Sequence, residues 1–152
     1  MKTVLSAICL FLFMLSGIAQ PINITKYSAP IKVACIGNSI TYGSGIDDRP
    51  RDSYPSQLAR MLGEKWEVRN FGVGGRTLLK KGDYPFWNEE AYAQAKAFLP
   101  DVVIIKLGTN DTKPQNWKFR NEFYGDYKAM VKELKALSSH PQIFLCKPVP
   151  AY

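Results

Sequence analysis

The sequence predicts an α/β fold: a flavodoxin-like doubly wound parallel sheet with flanking helices. Two observations carry this expectation. Four apolar, strand-like runs alternate with helix-forming segments, the pattern of a parallel sheet covered by helices. One of these runs, DVVIIKLG (101–108), is almost continuously apolar and rich in β-branched residues, as a strand buried on both faces requires.

The elements follow in order. The first strand is IKVACIG (31–37), and WEVRNFGV (66–73) is the second. Between them, SYPSQLARMLG reads as a helix in which Ser53 caps, Pro55 fits the first turn and Gly63 stops the chain. NEEAYAQAKAFLP supplies strong helix formers before Pro100 and leads into the third strand, 101–108. Phe123, Tyr127, Met130, Leu134 and Leu137 then recur every three or four residues, marking one apolar helix face; Lys128, Lys132 and Lys135 lie off it. The fourth strand is QIFLCKPV (142–149).

The first twenty residues lie outside this pattern. MKTVLSAICLFLFMLSGIAQ has a basic start at Lys2, an apolar stretch from Val4 to Leu15, and Gly17 and Ala19 at −3 and −1. This is signal-peptide grammar, with cleavage expected after Ala19 and a secreted or periplasmic product that leaves the membrane once the signal is removed. The organisation is therefore a signal peptide at 1–19, an N-terminal linker at 20–30 and one domain over 31–152.

Composition narrows the function classes. The chain of 152 residues has 20 Lys and Arg against 13 Asp and Glu, a formal charge of +7. Its basic residues are scattered, however, and form no stripe of the kind that binds nucleic acid, so no nucleic-acid partner is expected. Of three cysteines, Cys9 leaves with the signal, and Cys35 and Cys146 sit in apolar runs as small hydrophobes. With one histidine besides, no zinc site and no cofactor are expected.

In a doubly wound sheet, ligands bind at the carboxyl ends of the strands. Three loops leave those ends: NSITYGSG, GGRTLLKKG and TNDTKPQNW. They offer what acyl transfer needs, a nucleophile and donors for a developing oxyanion. Ser39 stands two residues beyond the first strand, Gly residues in FGVGGRT can turn a backbone N–H inward, and the side-chain amide of Asn110 can donate to the same oxygen. Each signal alone is weak: a serine after a strand is commonly a turn residue, GGRT a tight turn, and GTND an Asx turn.

Together, IGNSITYGSG, NFGVGGRT and IKLGTND resemble the three leading sequence blocks of the SGNH hydrolases, the GDSL-like lipase/acylhydrolase family, with Asn38 where Asp is more common. The match runs from about Lys32 to the C-terminus. The resemblance implies an ester hydrolase in which Ser39 is nucleophile and backbone donor, Gly75 a second donor (Gly72 and Gly74 compete for this register) and the Asn110 side chain a third. It also implies a small-molecule or carbohydrate ester substrate, in the manner of sialate O-acetylesterase-like or lysophospholipase-like members; deacetylation of a carbohydrate is the favoured expectation.

The family's base is a histidine in an Asp-x-x-His block after a fifth strand, and this chain has no such block. His140 precedes the fourth strand, at the amino end of the sheet, whereas a strand spans about 17–20 Å and a base must come within about 3 Å of the serine. His140 is therefore not expected to be the base. The expectation is of a chain that is the front portion of a longer enzyme, without the fifth strand and C-terminal helix and nearly inert by itself. The alternative is a carbohydrate-binding relic of the same fold. Tyr84, Phe86, Trp87 and Trp117 follow the catalytic loops, and two roles are open to them: stacking on sugar or acyl groups, or covering the core.

Overall fold

The computed structural model describes residues 21–148. The signal-peptide stretch lies outside the described residues. Among the described residues, four parallel strands form one sheet in the order β2-β1-β3-β4: β1 Ile31–Gly37, β2 Trp66–Gly72, β3 Val102–Lys106 and β4 Gln142–Leu145. This is the flavodoxin-like order expected of a doubly wound sheet. The last three strands end earlier than their apolar runs do. Leu107 is buried but Gly108, at φ 120°, turns the chain out of β3. Pro148 likewise has no N–H to continue a ladder beyond β4.

Among the described residues, six α-helices connect and cover the strands: α1 Ser39–Tyr42, α2 Arg49–Asp52, α3 Tyr54–Leu62, α4 Glu90–Ala97, α5 Pro114–Trp117 and α6 Arg120–Lys135. The expected boundaries of α3 hold, with Gly63 at φ 78° ending it. Ser53 occupies the N-cap position but its side chain does not cap; its Oγ lies 2.9 Å from Ser56 Oγ instead.

Alternation along β1 and β3 splits the core between the two faces of the sheet. Ala34, Ile36, Val103 and Ile105 meet Tyr92 and Ala95 of α4 and Met130 and Leu134 of α6. On the other face, Ile31, Val33, Cys35 and Val102 meet Tyr54 and Leu58 of α3. Ile22 and Tyr27, from the segment expected to be a linker, pack against this second cluster. The helical stripe of α6 is as expected, with Met130 and Leu134 buried and Phe123, Tyr127 and Leu137 packed beside them. No helix among the described residues is long and apolar enough to cross a membrane.

Candidate active site at the carboxyl rim of the sheet

The carboxyl ends of β2, β1 and β3 lie side by side, with Gly37 paired to Gly72 on one side and Lys106 on the other. Every loop expected to carry chemistry thus leaves the same rim. Ser39 begins α1 directly after β1. Asn38, itself buried, caps that turn: its Oδ1 accepts the N–H of Ile40 at 3.1 Å. Gly37 is required here because a Cβ would overlap Thr41 Oγ1 and stand 2.7 Å from the Lys106 carbonyl oxygen. Among the described residues no group hydrogen-bonds the Ser39 hydroxyl, which is partly exposed.

The end of β2 is fastened to α1. The Asn70 amide donates to the Thr41 carbonyl at 2.8 Å, and a Cβ on Gly72 would overlap the backbone of Thr41 and Tyr42. Asn70 also accepts the Gly72 N–H at 2.9 Å, so that N–H is already engaged. Gly75 differs. It has φ 78°, a conformation that suits glycine, and its N–H meets no acceptor among the described residues. Arg76 braces this turn by donating to the Gly74 carbonyl at 2.7 Å while pairing with Glu89 at 2.8 Å.

Asn110 lies in a short 3-10 turn after β3, and its amide donates to the Arg76 carbonyl at 3.0 Å. The side chain expected from the third loop therefore touches the residue next to Gly75 in the second. An amide nitrogen carries two hydrogens, and this bond uses one.

Two further side chains weld the loops together, and sequence reasoning missed both. Asp111 is fully buried and its carboxylate accepts the N–H groups of Leu78 at 3.0 Å and Leu79 at 2.7 Å. Burial pushes its carboxyl above the usual 3.8, against the lowering effect of those N–H donors. Asn116 makes a reciprocal pair with Asp83: its amide donates to Asp83 Oδ1 at 2.9 Å and its Oδ1 accepts the Asp83 N–H at 2.8 Å. The only signal for Asp111 was its place beside Asn110; nothing in the sequence linked it to Leu78. For Asp83 and Asn116, which stand 33 residues apart, there was no signal at all.

The aromatic candidates divide. Phe86 is fully buried, and Trp87 packs against the same core with its indole N–H donated to the Leu78 carbonyl at 2.7 Å. Tyr84 and Trp117 remain 59% and 42% exposed. His140 precedes β4, at the end of the parallel sheet opposite Ser39. Among the described residues no group of three or more His, Cys, Asp or Glu side chains could hold a metal ion. A groove of about 600 Å³ runs between α6 and Leu145, lined by aromatic rings and lysine stems, and contains none of the expected site residues.

The GDSL-like Lipase/Acylhydrolase family matches residues 35–152. The chain belongs to that family. A curated relative of this GDSL-like chain, an acetylxylan esterase of Xylanibacter ruminicola, is 49% identical over 139 residues, covering 80% of this chain and 29% of the relative. The chain thus spans under a third of that relative's length. Among solved structures, a carbohydrate acetylesterase family member from Sinorhizobium meliloti superposes with a TM-score of 0.61 at 23% identity, over 76% of this chain and 61% of that one. A two-domain esterase active on acetylated mannans, crystallised with mannopentaose, gives 0.59 at 23% identity, over 77% and 30%. These two likenesses show that the GDSL-like chain shares their fold.

Proposed function

We propose that this rim is the nucleophile and oxyanion half of a serine ester hydrolase that removes acetyl groups from a carbohydrate. Ser39 Oγ attacks the ester carbonyl carbon. The Ser39 and Gly75 N–H groups and the remaining hydrogen of the Asn110 amide receive the charge that develops on the carbonyl oxygen. The alkoxide leaves with a proton, and water then releases acetate from the serine. The observation that carries the reading is the bond from Asn110 to the carbonyl beside Gly75, next to a helix that starts at Ser39 and is pressed against β2. The 49% identity to an acetylxylan esterase supports acetylated polysaccharide as substrate. The N-terminal signal grammar supports an exported protein, where such polymers are met.

Proton removal from Ser39 needs a base, and His140 stands at the far end of the sheet. Added imidazole can take that role from solution. The test is acetate release from acetylated xylo-oligosaccharides by the 152-residue chain with imidazole present. Release above the imidazole background is expected with the wild type and not with Ser39→Ala; equal release from both overturns the proposal.

A further inference from the structure

Tyr84 and Trp117 are the two aromatic candidates that the core does not claim, and their exposure costs apolar burial. Neither hangs on a loose tip. Tyr84 follows Asp83 and Trp117 follows Asn116, the two residues that grip each other through reciprocal hydrogen bonds. The Tyr84 carbonyl accepts the Thr77 N–H at 2.9 Å, two residues beyond Gly75, and the Arg76 guanidinium lies 5.5 Å from the Tyr84 ring centre. Trp117 leans edge-on against Phe123, with ring centres 6.5 Å apart. Tyr84 is thus held beside the turn that contains Gly75, and Trp117 is tied to the same segment through its neighbour Asn116.

Asp83 and Gln115, close to these rings along the chain, are exposed and polar. Asp83 Oδ1 accepts from Asn116 and from the Tyr84 N–H, and Oδ2 accepts from the Gln115 amide at 3.2 Å. These hydrogen bonds outweigh its burial and hold the carboxyl below its ordinary range, so it stays an acceptor at neutral pH. An acyl chain needs a dry, apolar trough. A pyranose has apolar C–H faces for aromatic rings and hydroxyl edges for carboxylates and amides; the exposed rings meet the first and the exposed Asp83 and Gln115 the second.

We propose that Tyr84, Trp117 and the Asp83 carboxylate, which the buried Asn116 holds in place, form a glycan-stacking subsite, which takes a pyranose ring of the polysaccharide backbone next to the acetylated residue. The inference rests on the esterase reading and adds to it a second point of contact with the sugar polymer, beside the acetylated residue. Its test uses no ester: unacetylated xylohexaose is titrated into the 15N-labelled chain. The indole signal of Trp117 is expected to move while those of Trp66 and Trp87 stay. Tyr84→Ala is expected to weaken binding about tenfold, the scale of one lost stacking contact, while Tyr84→Phe retains it. Tyr124→Ala, which removes an exposed ring on α6, is expected to bind as wild type, and matching melting curves establish that each variant is folded. No shift at millimolar xylohexaose, or binding unaffected by Tyr84→Ala, overturns the subsite. So does a Trp117 shift produced by decanoate instead. Acetate release without xylohexaose binding sinks this inference alone, and binding without acetate release sinks the esterase reading alone.

Discussion

The amide of Asn110 donates to the carbonyl of Arg76 at 3.0 Å, joining the loop after β3 to the loop after β2. Replacing Asn110 should therefore do two things: remove a donor and untie a turn. Asn110→Ala is expected to lower imidazole-supported acetate release by about 10²–10³, the scale of one lost oxyanion donor. Asn110→Asp removes the donor with little change of shape and should lose as much. Initial rates for the two variants check this.

Asp111 is expected to be the most costly of the loop residues to remove. Asp111→Ala leaves two buried N–H groups without an acceptor, at about 1–3 kcal/mol each. A fall in Tm on the order of 10 °C should follow, measured by circular dichroism or calorimetry.

The same residue has a pH signature. Its carboxyl is raised above 3.8 in the folded chain, so the native state holds its proton more tightly than the unfolded state does. Its contribution is therefore full below 3.8, declines as pH rises through the native value, and is flat above it. Asp111→Asn cannot titrate. The Tm of wild type minus that of Asp111→Asn should fall with rising pH across the acidic range and then level off.

Gly37 tests how closely α1 must approach the sheet. Gly37→Ala drives a methyl group into Thr41 and towards the Lys106 carbonyl, and the expected cost is about 1–3 kcal/mol. Because α1 carries Ser39, Ser39-dependent turnover should fall with stability. Gly45→Ala, where a Cβ meets open space but φ is 82°, isolates the cost of backbone conformation. Urea midpoints for the two variants separate crowding from strain.

The two described cysteines should differ in reactivity. Burial pushes the Cys35 thiol up to about 12, an effect that a hydrogen bond with Tyr54 only partly offsets. Cys146, just past β4, is partly exposed. An aromatic disulfide reagent at pH 8 should label Cys146 in the native chain and Cys35 only on unfolding, with the sites assigned by peptide mass spectrometry.

Much of this architecture was legible in the sequence because parallel sheets write themselves in apolar runs. Ile31–Gly37 was bounded to the residue, and the stripe through Met130 and Leu134 marked the buried face of α6. The loops were legible only as places. That Ser39, Gly75 and Asn110 leave adjacent strand ends follows from strand order, which alternation predicts. What binds the loops does not follow, because Asp111 to Leu78 and Asn116 to Asp83 are pairings across more than thirty residues without any periodic signal. Phe86 and Trp87 looked no different from Tyr84 until burial separated them.

The ties between the second and third loops run from Asn110 to Arg76, from Asp111 to Leu78 and Leu79 and from Asn116 to Asp83, and Asp126 of α6 adds one more to Lys80. Segments sewn together so densely have no means of loosening one at a time. Amide exchange in 74–85 and 108–117 should therefore proceed through one shared opening event. Damage at the outer stitch, far from any chemistry, would be felt at the innermost.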